Sequence, residues 1–479
     1  MYEPQRLHPV AIISFFIHNL YNLVQAALPL FLVFLAGGNH KWLLAVLPFL
    51  LIIFIAYGVL YWLRYVFYVH EQELRLEFGV LVRKKRYIPF ERIQTVQISA
   101  GVLQRMFGLV KVEVETAGGG TKAEFVLAAL SREKAEELRR ILQTGQKVLN
   151  HTDEENTAIE YTLSTRALLL LATTSNGIGV VISAMLVFFS QLDDIFTNLH
   201  IWNKMIDYAE SLAVGKVSLI ISAVILLLLV AWLLSLLGTI IKYGNFHLTR
   251  EGQSIKISHG LLEKQQLTIP IKRIQAVKVV EGLLRQPFGM VSIQVVSISN
   301  IGKKGEGNVL FPLLPKDQLM RFLKETVPEF AMPLQVQGLP TRSRPRYLWI
   351  NIIPALLIAI GCTIFLPWGY LSFLLLLPAG WLGICQYRDA GWKMEENKLL
   401  LRSRVIGRIS TILPRRRIQS LDISRNFFQE RRGLTTLGVA LASGTLGTNI
   451  MLRGMDEEAS SLILHWFKLG IMRHKTKIY

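Results

Sequence analysis

Long uncharged stretches alternate with basic, turn-rich ones along this chain, and the alternation repeats three times. Five stretches hold no Asp, Glu, Lys or Arg: Leu7–His40, Trp42–Leu63, Ala167–Leu192, Val217–Ile241 and Tyr347–Tyr387. A helix needs about 20 apolar residues to cross a bilayer core, so each of the first four predicts one span. The fifth is too long for one helix, and the turn signal Pro367-Trp368-Gly369 divides it into two. Six transmembrane helices in three hairpins are expected. The first run lacks a basic leader and meets a second span at once, which predicts a retained helix rather than a cleaved signal.

Between the hairpins the period changes. Leu74, Leu76, Phe78 and Val80 alternate as a half-buried strand ending at a glycine turn. Thr95–Ser99 and Val110–Thr116 predict further strands, followed by glycine-rich turns at Gly118–Gly120 and, in the second copy, Gly302–Gly307. Each polar segment then closes on a helical pattern. Ser131 is placed to cap the first, with Leu138, Ile141 and Leu142 on one face. Pro315 opens the second, with Leu319, Phe322 and Leu323; Leu462, Ile463, Trp466 and Phe467 line the third. Short strands and one terminal helix predict a small β-barrel closed by a helix.

The polar segments repeat one another. Pro89-Phe90-Glu91-Arg92-Ile93-Gln94, Pro270-Ile271-Lys272-Arg273-Ile274-Gln275 and Pro414-Arg415-Arg416-Arg417-Ile418-Gln419 share Pro-x-x-Arg-Ile-Gln. Gly108, Gly289 and Gly433 each follow nineteen residues after the proline. Ten residues before it stand Gly79 and Gly260, but Arg404 in the third copy. Three ungapped matches over some thirty residues form a specific internal repeat.

Charge sets the orientation. The chain carries 53 Lys+Arg against 34 Asp+Glu, a net +19, and its mean hydropathy is +0.38. The linkers inside the hairpins hold almost no basic residues, whereas the repeats after them are rich in Arg and Lys. By the positive-inside rule both termini and all three polar segments face the cytoplasm.

With its hairpins, Pro-x-x-Arg-Ile-Gln and later Phe-Gly, the chain resembles the bacterial pleckstrin-homology-like (PH-like) membrane proteins of the YdbS/YdbT type, over nearly its whole length. That resemblance implies an α+β membrane protein of the bacterial plasma membrane. Two orthogonal sheets capped by a C-terminal helix would make each PH-like barrel. Hairpins then occupy 1–64, 160–242 and 346–387, and PH-like domains 65–150, 243–330 and 388–479. The resemblance also implies a smaller family member with one hairpin and one such domain, with which this chain would assemble. It implies no enzymatic activity.

The residues agree on the last point. The ten histidines are scattered, Cys362 and Cys385 both fall in apolar runs, and no metal-ligand spacing occurs, so neither catalytic residues nor a metal or cofactor is expected. Gly118-Gly119-Gly120-Thr121-Lys122 lacks phosphate-loop spacing and reads as a turn. Nothing resembles a nucleic-acid recognition element. Arg92, Arg273 and Arg417 suit either an anionic ligand or a structural bond to a backbone carbonyl. Pro89, Pro270, Pro414, Gln94, Gln275 and Gln419 read as fold determinants, as do the three later glycines.

Arg83, Lys84, Lys85, Arg86, Arg415, Arg416, Arg431 and Arg432 are candidates for contact with anionic headgroups of the bilayer, or determinants of topology alone. His18, Asn22, Gln25 and Asn176 are the intramembrane polar residues, suited to bonds between helices or to a polar path. Linkers at Asn150–Thr157 and Gly338–Arg346 would allow the domains some independence. Two function classes follow. One is a membrane scaffold, in cell-envelope maintenance, whose PH-like domains bind proteins or lipid surface. The other is a transporter or lipid-handling subunit using the helices as a path.

Overall fold

The computed structural model describes residues 3–13, 15–16, 52, 55–80, 82–116, 125–147, 159–174, 216–297, 308–365, 369–442 and 448–475. Its strands fall into three sets of seven that repeat one plan. The first set is β1 (Gln5–Arg6), β2 (Val66–His70), β3 (Glu73–Phe78), β4 (Lys84–Pro89), β5 (Ile93–Ala100), β6 (Leu109–Thr116) and β7 (Phe125–Ser131). The second is β8 (Ile159–Thr162), β9 (His247–Glu251), β10 (Ser254–His259), β11 (Lys264–Pro270), β12 (Ile274–Glu281), β13 (Met290–Ser297) and β14 (Asn308–Pro315). The third is β15 (Gln337–Gly338), β16 (Gly391–Glu395), β17 (Lys398–Arg404), β18 (Arg408–Pro414), β19 (Ile418–Ser424), β20 (Leu434–Leu441) and β21 (Thr448–Asp456). In each unit the first four strands form one antiparallel sheet in sequence order and the last three another.

The first strand of each unit lies before the membrane hairpin. β1, β8 and β15 pair with β2, β9 and β16, so each hairpin is inserted into a sheet rather than placed ahead of it. Linker Gly338–Arg346 is correspondingly ordered: Gly338 pairs with Gly391, and Ser343 is buried. Linker Asn150–Thr157 lies outside the described residues.

A corner joins the two sheets of every unit. Pro89, Pro270 and Pro414 hold φ of −61°, −64° and −67° ahead of one tight turn: Phe90–Arg92, Ile271–Arg273 and Arg415–Arg417. Proline suits this place, since its fixed φ and missing N–H end a strand cleanly. The turns after the corner strands hold Gly108, Gly289 and Gly433 at φ +66°, +60° and +59°, a region that side chains other than glycine enter at a cost.

The expected closed barrel is not formed. Among the described residues no unit's last strand returns to its first. β5 pairs instead with β11 of the next unit, and β12 with β18 of the one after, giving two seven-stranded sheets, β7-β6-β5-β11-β10-β9-β8 and β14-β13-β12-β18-β17-β16-β15. A neighbour satisfies the strand edges that closure would have satisfied. Whether the domains pack together, which the linkers leave open, is answered by the same pairing: neighbouring units share sheets.

The terminal helices pack on these sheets. Helix Arg132–Lys147 buries Leu138 and Leu142, and Lys134 N–H reaches Ser131 Oγ at 3.4 Å. Pro315 does not open the second helix. It ends β14, and the helix is Leu319–Thr326, burying Leu319, Phe322 and Leu323. In the third, Glu457–Lys475, Ile463 and Trp466 are buried but Leu462 is turned outward, one position off the inner face.

Three helices among the described residues are long and apolar enough to cross a membrane: Ile225–Tyr243, Thr341–Phe365 and Gly369–Asp389. Their large side chains, Leu229, Leu234, Leu357 and Leu377 among them, point outward, as lipid-facing positions must. The other three expected spans fall largely outside the described residues.

Candidate functional site

The junctions between units are where the repeated signature acts. Lys264 to Thr268 face Ala100 to Val96, and Arg408 to Ile412 face Glu281 to Val277. Counted from the signature proline, both junctions set the residue eleven after it in one unit opposite the residue six before it in the next. One register is used twice.

The signature arginine closes each junction. Arg273 donates to the carbonyl of Ile93 in the first unit at 2.5 Å, and Arg417 to that of Lys272 in the second at 2.5 Å. Burial pushes the Arg273 guanidinium down to about 10, which leaves it charged at neutral pH. The carbonyl-binding role was open from sequence, but the carbonyl belongs to a different unit. Arg92, in the first unit, is exposed and its side chain makes no hydrogen bond or ion pair among the described residues. Gln275 is buried and its amide donates to the Arg273 carbonyl at 3.3 Å, while Gln419 is exposed. The side chain of Gln94 is outside the described residues.

Arg404, which replaces the early glycine in the third unit, anchors a buried charge network. It lies 2.5 Å from Asp389 at the end of the last membrane helix, with side-chain exposures of 4% and 13%. It also donates to Gln286 of the second unit at 2.7 Å. Arg408 bridges Asp389 at 2.6 Å and Glu281 at 3.2 Å, and Lys316 approaches Glu281 at 3.4 Å. Two units and a membrane helix meet here. No repeat signal marked it, because the residues concerned are those that break the repeat.

The membrane helices hold each unit through one equivalent turn, that between its third and fourth strands. Arg64 donates to Val80 O at 2.7 Å, Leu261 N–H to Ile241 O at 2.9 Å, and Gln386 to Val405 O at 2.8 Å. Gln386 also accepts from Asn351 across the third hairpin at 2.8 Å, a polar pair that the sequence reading missed. These turns therefore lie beside the helix ends, and their tips are apolar and exposed: Val82, Leu262, Val405 and Ile406. The neighbouring turns carry exposed Met106 and Phe107, Leu284 and Phe288, and Phe428, the last at 75% exposure. Apolar tips at the level where helices enter the bilayer suit the headgroup boundary.

The basic candidates divide. Arg83 and Lys85 both pair with Glu77, at 2.7 and 3.2 Å, while Lys84 and Arg86 lie exposed on β4. Arg415 donates to Trp466 O and lies over the Trp466 ring. Arg416 binds Glu329 of the second unit at 2.6 Å, so it serves the junction. Arg431 and Arg432 line a shallow cleft with Arg342, Pro345 and Gly433, at the foot of the helix Arg344–Phe365. Arg342 is tied to Asp456 at 2.6 Å and Arg431 lies over Phe427, while the Arg432 side chain is exposed and makes no hydrogen bond or ion pair among the described residues. His18, Asn22, Gln25 and Asn176 lie outside the described residues. No cluster of His, Cys, Asp or Glu suited to a metal occurs among the described residues.

The bacterial PH domain family matches this chain three times, over residues 21–146, 177–327 and 349–468. The chain belongs to that family. Each match contains one signature corner and the last six strands of its unit. A relative, the UPF0699 transmembrane protein YdbT of Bacillus subtilis (strain 168), is 35% identical over 489 residues, covering 98% of each chain. The resemblance read from the repeat is thereby shown.

Proposed function

We propose that this chain is a non-enzymatic membrane scaffold, with six spans in three hairpins and a cytoplasmic face made of its PH-like units. The observation that carries the reading is the pairing of β5 with β11 and of β12 with β18, which merges three domains into one body with continuous sheets. Such a body presents fixed surfaces over a long span, as a platform requires. Turns with apolar tips and the Arg342–Arg432 cleft beside the helix ends favour contact with anionic headgroups as well as with protein. The plasma membrane is the proposed location, with both termini on the basic, cytoplasmic side.

Affinity purification from membranes in mild detergent tests this. A reproducible set of co-purifying envelope proteins and anionic lipids is expected. Arg273→Ala with Arg417→Ala should reduce that set, while joint substitution of His18, Asn22, Gln25 and Asn176 by apolar residues should leave it intact. Loss through the intramembrane changes alone would favour a path through the helices instead.

A further inference from the structure

Among the described residues, the internal junctions use up every edge of their kind except two. β4 of the first unit corresponds to β11 and β18, yet no strand pairs with its outer edge among the described residues; β19 of the third unit corresponds to β5 and β12, and its outer edge is equally unpaired. Lys84, Lys85, Arg86 and Tyr87 are consequently exposed, as are Gln419, Ser420, Asp422 and Ser424 along β19. The molecule thus carries the two halves of a third junction at its opposite ends.

We propose that β19 of one copy adds to β4 of a second copy of this chain, in the register of the internal junctions. This rests on the scaffold reading above and names its partner. Three observations carry it. The register that sets the eleventh residue after the proline opposite the sixth before it places Ser424 against Lys84 and Asp422 against Arg86. A carboxylate then faces a guanidinium, where the internal junctions have Gln97 facing Leu267 and Lys278 facing Thr411. Arg425 would fall beside Arg83, but each already has a carboxylate, Glu457 at 2.7 Å and Glu77 at 2.7 Å.

The second observation is Arg92. Its counterparts Arg273 and Arg417 both clasp a carbonyl in the preceding unit, and Arg92 has none to clasp within its own chain among the described residues. The corner Arg416–Ile418 of a second copy would supply it. The third is orientation. Each unit meets its membrane helices through the same turn, so repeating the step keeps the next copy's hairpins on the same side, as a shared bilayer demands. Such head-to-tail contact builds a ring where the rotation closes and a filament where it does not. The Lys and Arg along β4 discourage an indiscriminate strand and select one bearing an acid.

The test is oxidative cross-linking of the full chain in membranes, with Cys362 and Cys385 replaced by serine. Two copies with tags of different size are co-expressed, one carrying Asp422→Cys and the other Arg86→Cys. A disulfide-linked dimer of the two tags is expected, several-fold weaker when Tyr87→Cys, which points to the opposite face, replaces Arg86→Cys. Lys278→Cys with Thr411→Cys in one chain should bridge internally and shows that the chemistry and fold are intact. If that control bridges while the Asp422–Arg86 pair does not, the proposal fails. It fails also if Asp422→Cys copies link to each other or to a smaller protein. Co-purification of partners in the preceding experiment is read separately, so either result stands without the other.

Discussion

The guanidinium of Arg417 in the third unit donates to the carbonyl of Lys272 in the second, 145 residues earlier in the chain, at 2.5 Å. One unit back, Arg273 donates to a carbonyl two positions further along the corner, that of Ile93 in the first unit. A charged hydrogen bond of this kind contributes roughly 1.5–3 kcal/mol. Arg273→Ala should therefore loosen the first junction by about that much, read as faster amide exchange in β5 and β11 with little change in β13 and β14. Lysine should restore little, because it lacks the planar fork.

Asp389 pairs with the buried Arg404 and shares Arg408 with Glu281. Asp389→Ala leaves the Arg404 guanidinium without a carboxylate and should destabilise the third unit by about 3 kcal/mol, seen as a lowered melting temperature in detergent. Adding Arg404→Gly, the residue its first two counterparts carry, should recover part of the loss.

Gly260 and Gly289 are both glycines at positive φ, yet their tolerance should differ. A Cβ on Gly260, at φ +107°, would meet Glu263 O at 2.0 Å, whereas Gly289, at φ +60°, has open space around it. Gly289→Asn should cost roughly 1 kcal/mol or less, since asparagine tolerates that conformation. Gly260→Ala should disrupt the turn that docks on Ile241, and yield of folded protein is the readout.

How much of this was legible in the sequence differs by level. Pro89, Arg92 and Gly108 recur at fixed spacing because each unit needs the same corner and turn, so the repeat and its strands could be read. The pairing of β5 with β11 could not. Alternation reports which face of a strand is buried, and says nothing of which strand lies beside it. The two-residue strand Gln5–Arg6 is too short to alternate at all. The Asp389–Arg404 network was hidden because a departure from a repeat gives no spacing to match.

His259 gives the molecule a pH response. Its Nδ1 bonds the Lys242 carbonyl at 2.9 Å and its ring stacks on Phe246. Burial, with the Lys242 charge added, holds its pKa below the ordinary 6.5, against smaller opposing effects of that bond and of Glu263. Above 6.5 the ring is neutral in both folded and unfolded chains. As pH falls below that value the unfolded chain takes up the proton first, so stability declines until the folded value is passed. His259→Gln should flatten this decline in thermal unfolding measured between neutral and mildly acidic pH.

The central claim is that strand pairing makes one body of the three units, and hydrogen–deuterium exchange across the junction strands tests it most directly. The account predicts that β11 and β18 exchange as slowly as β10 and β17, the interior strands beside them. Exchange in β11 and β18 at the rate of exposed sheet edges, with β10 and β17 still protected, would contradict it.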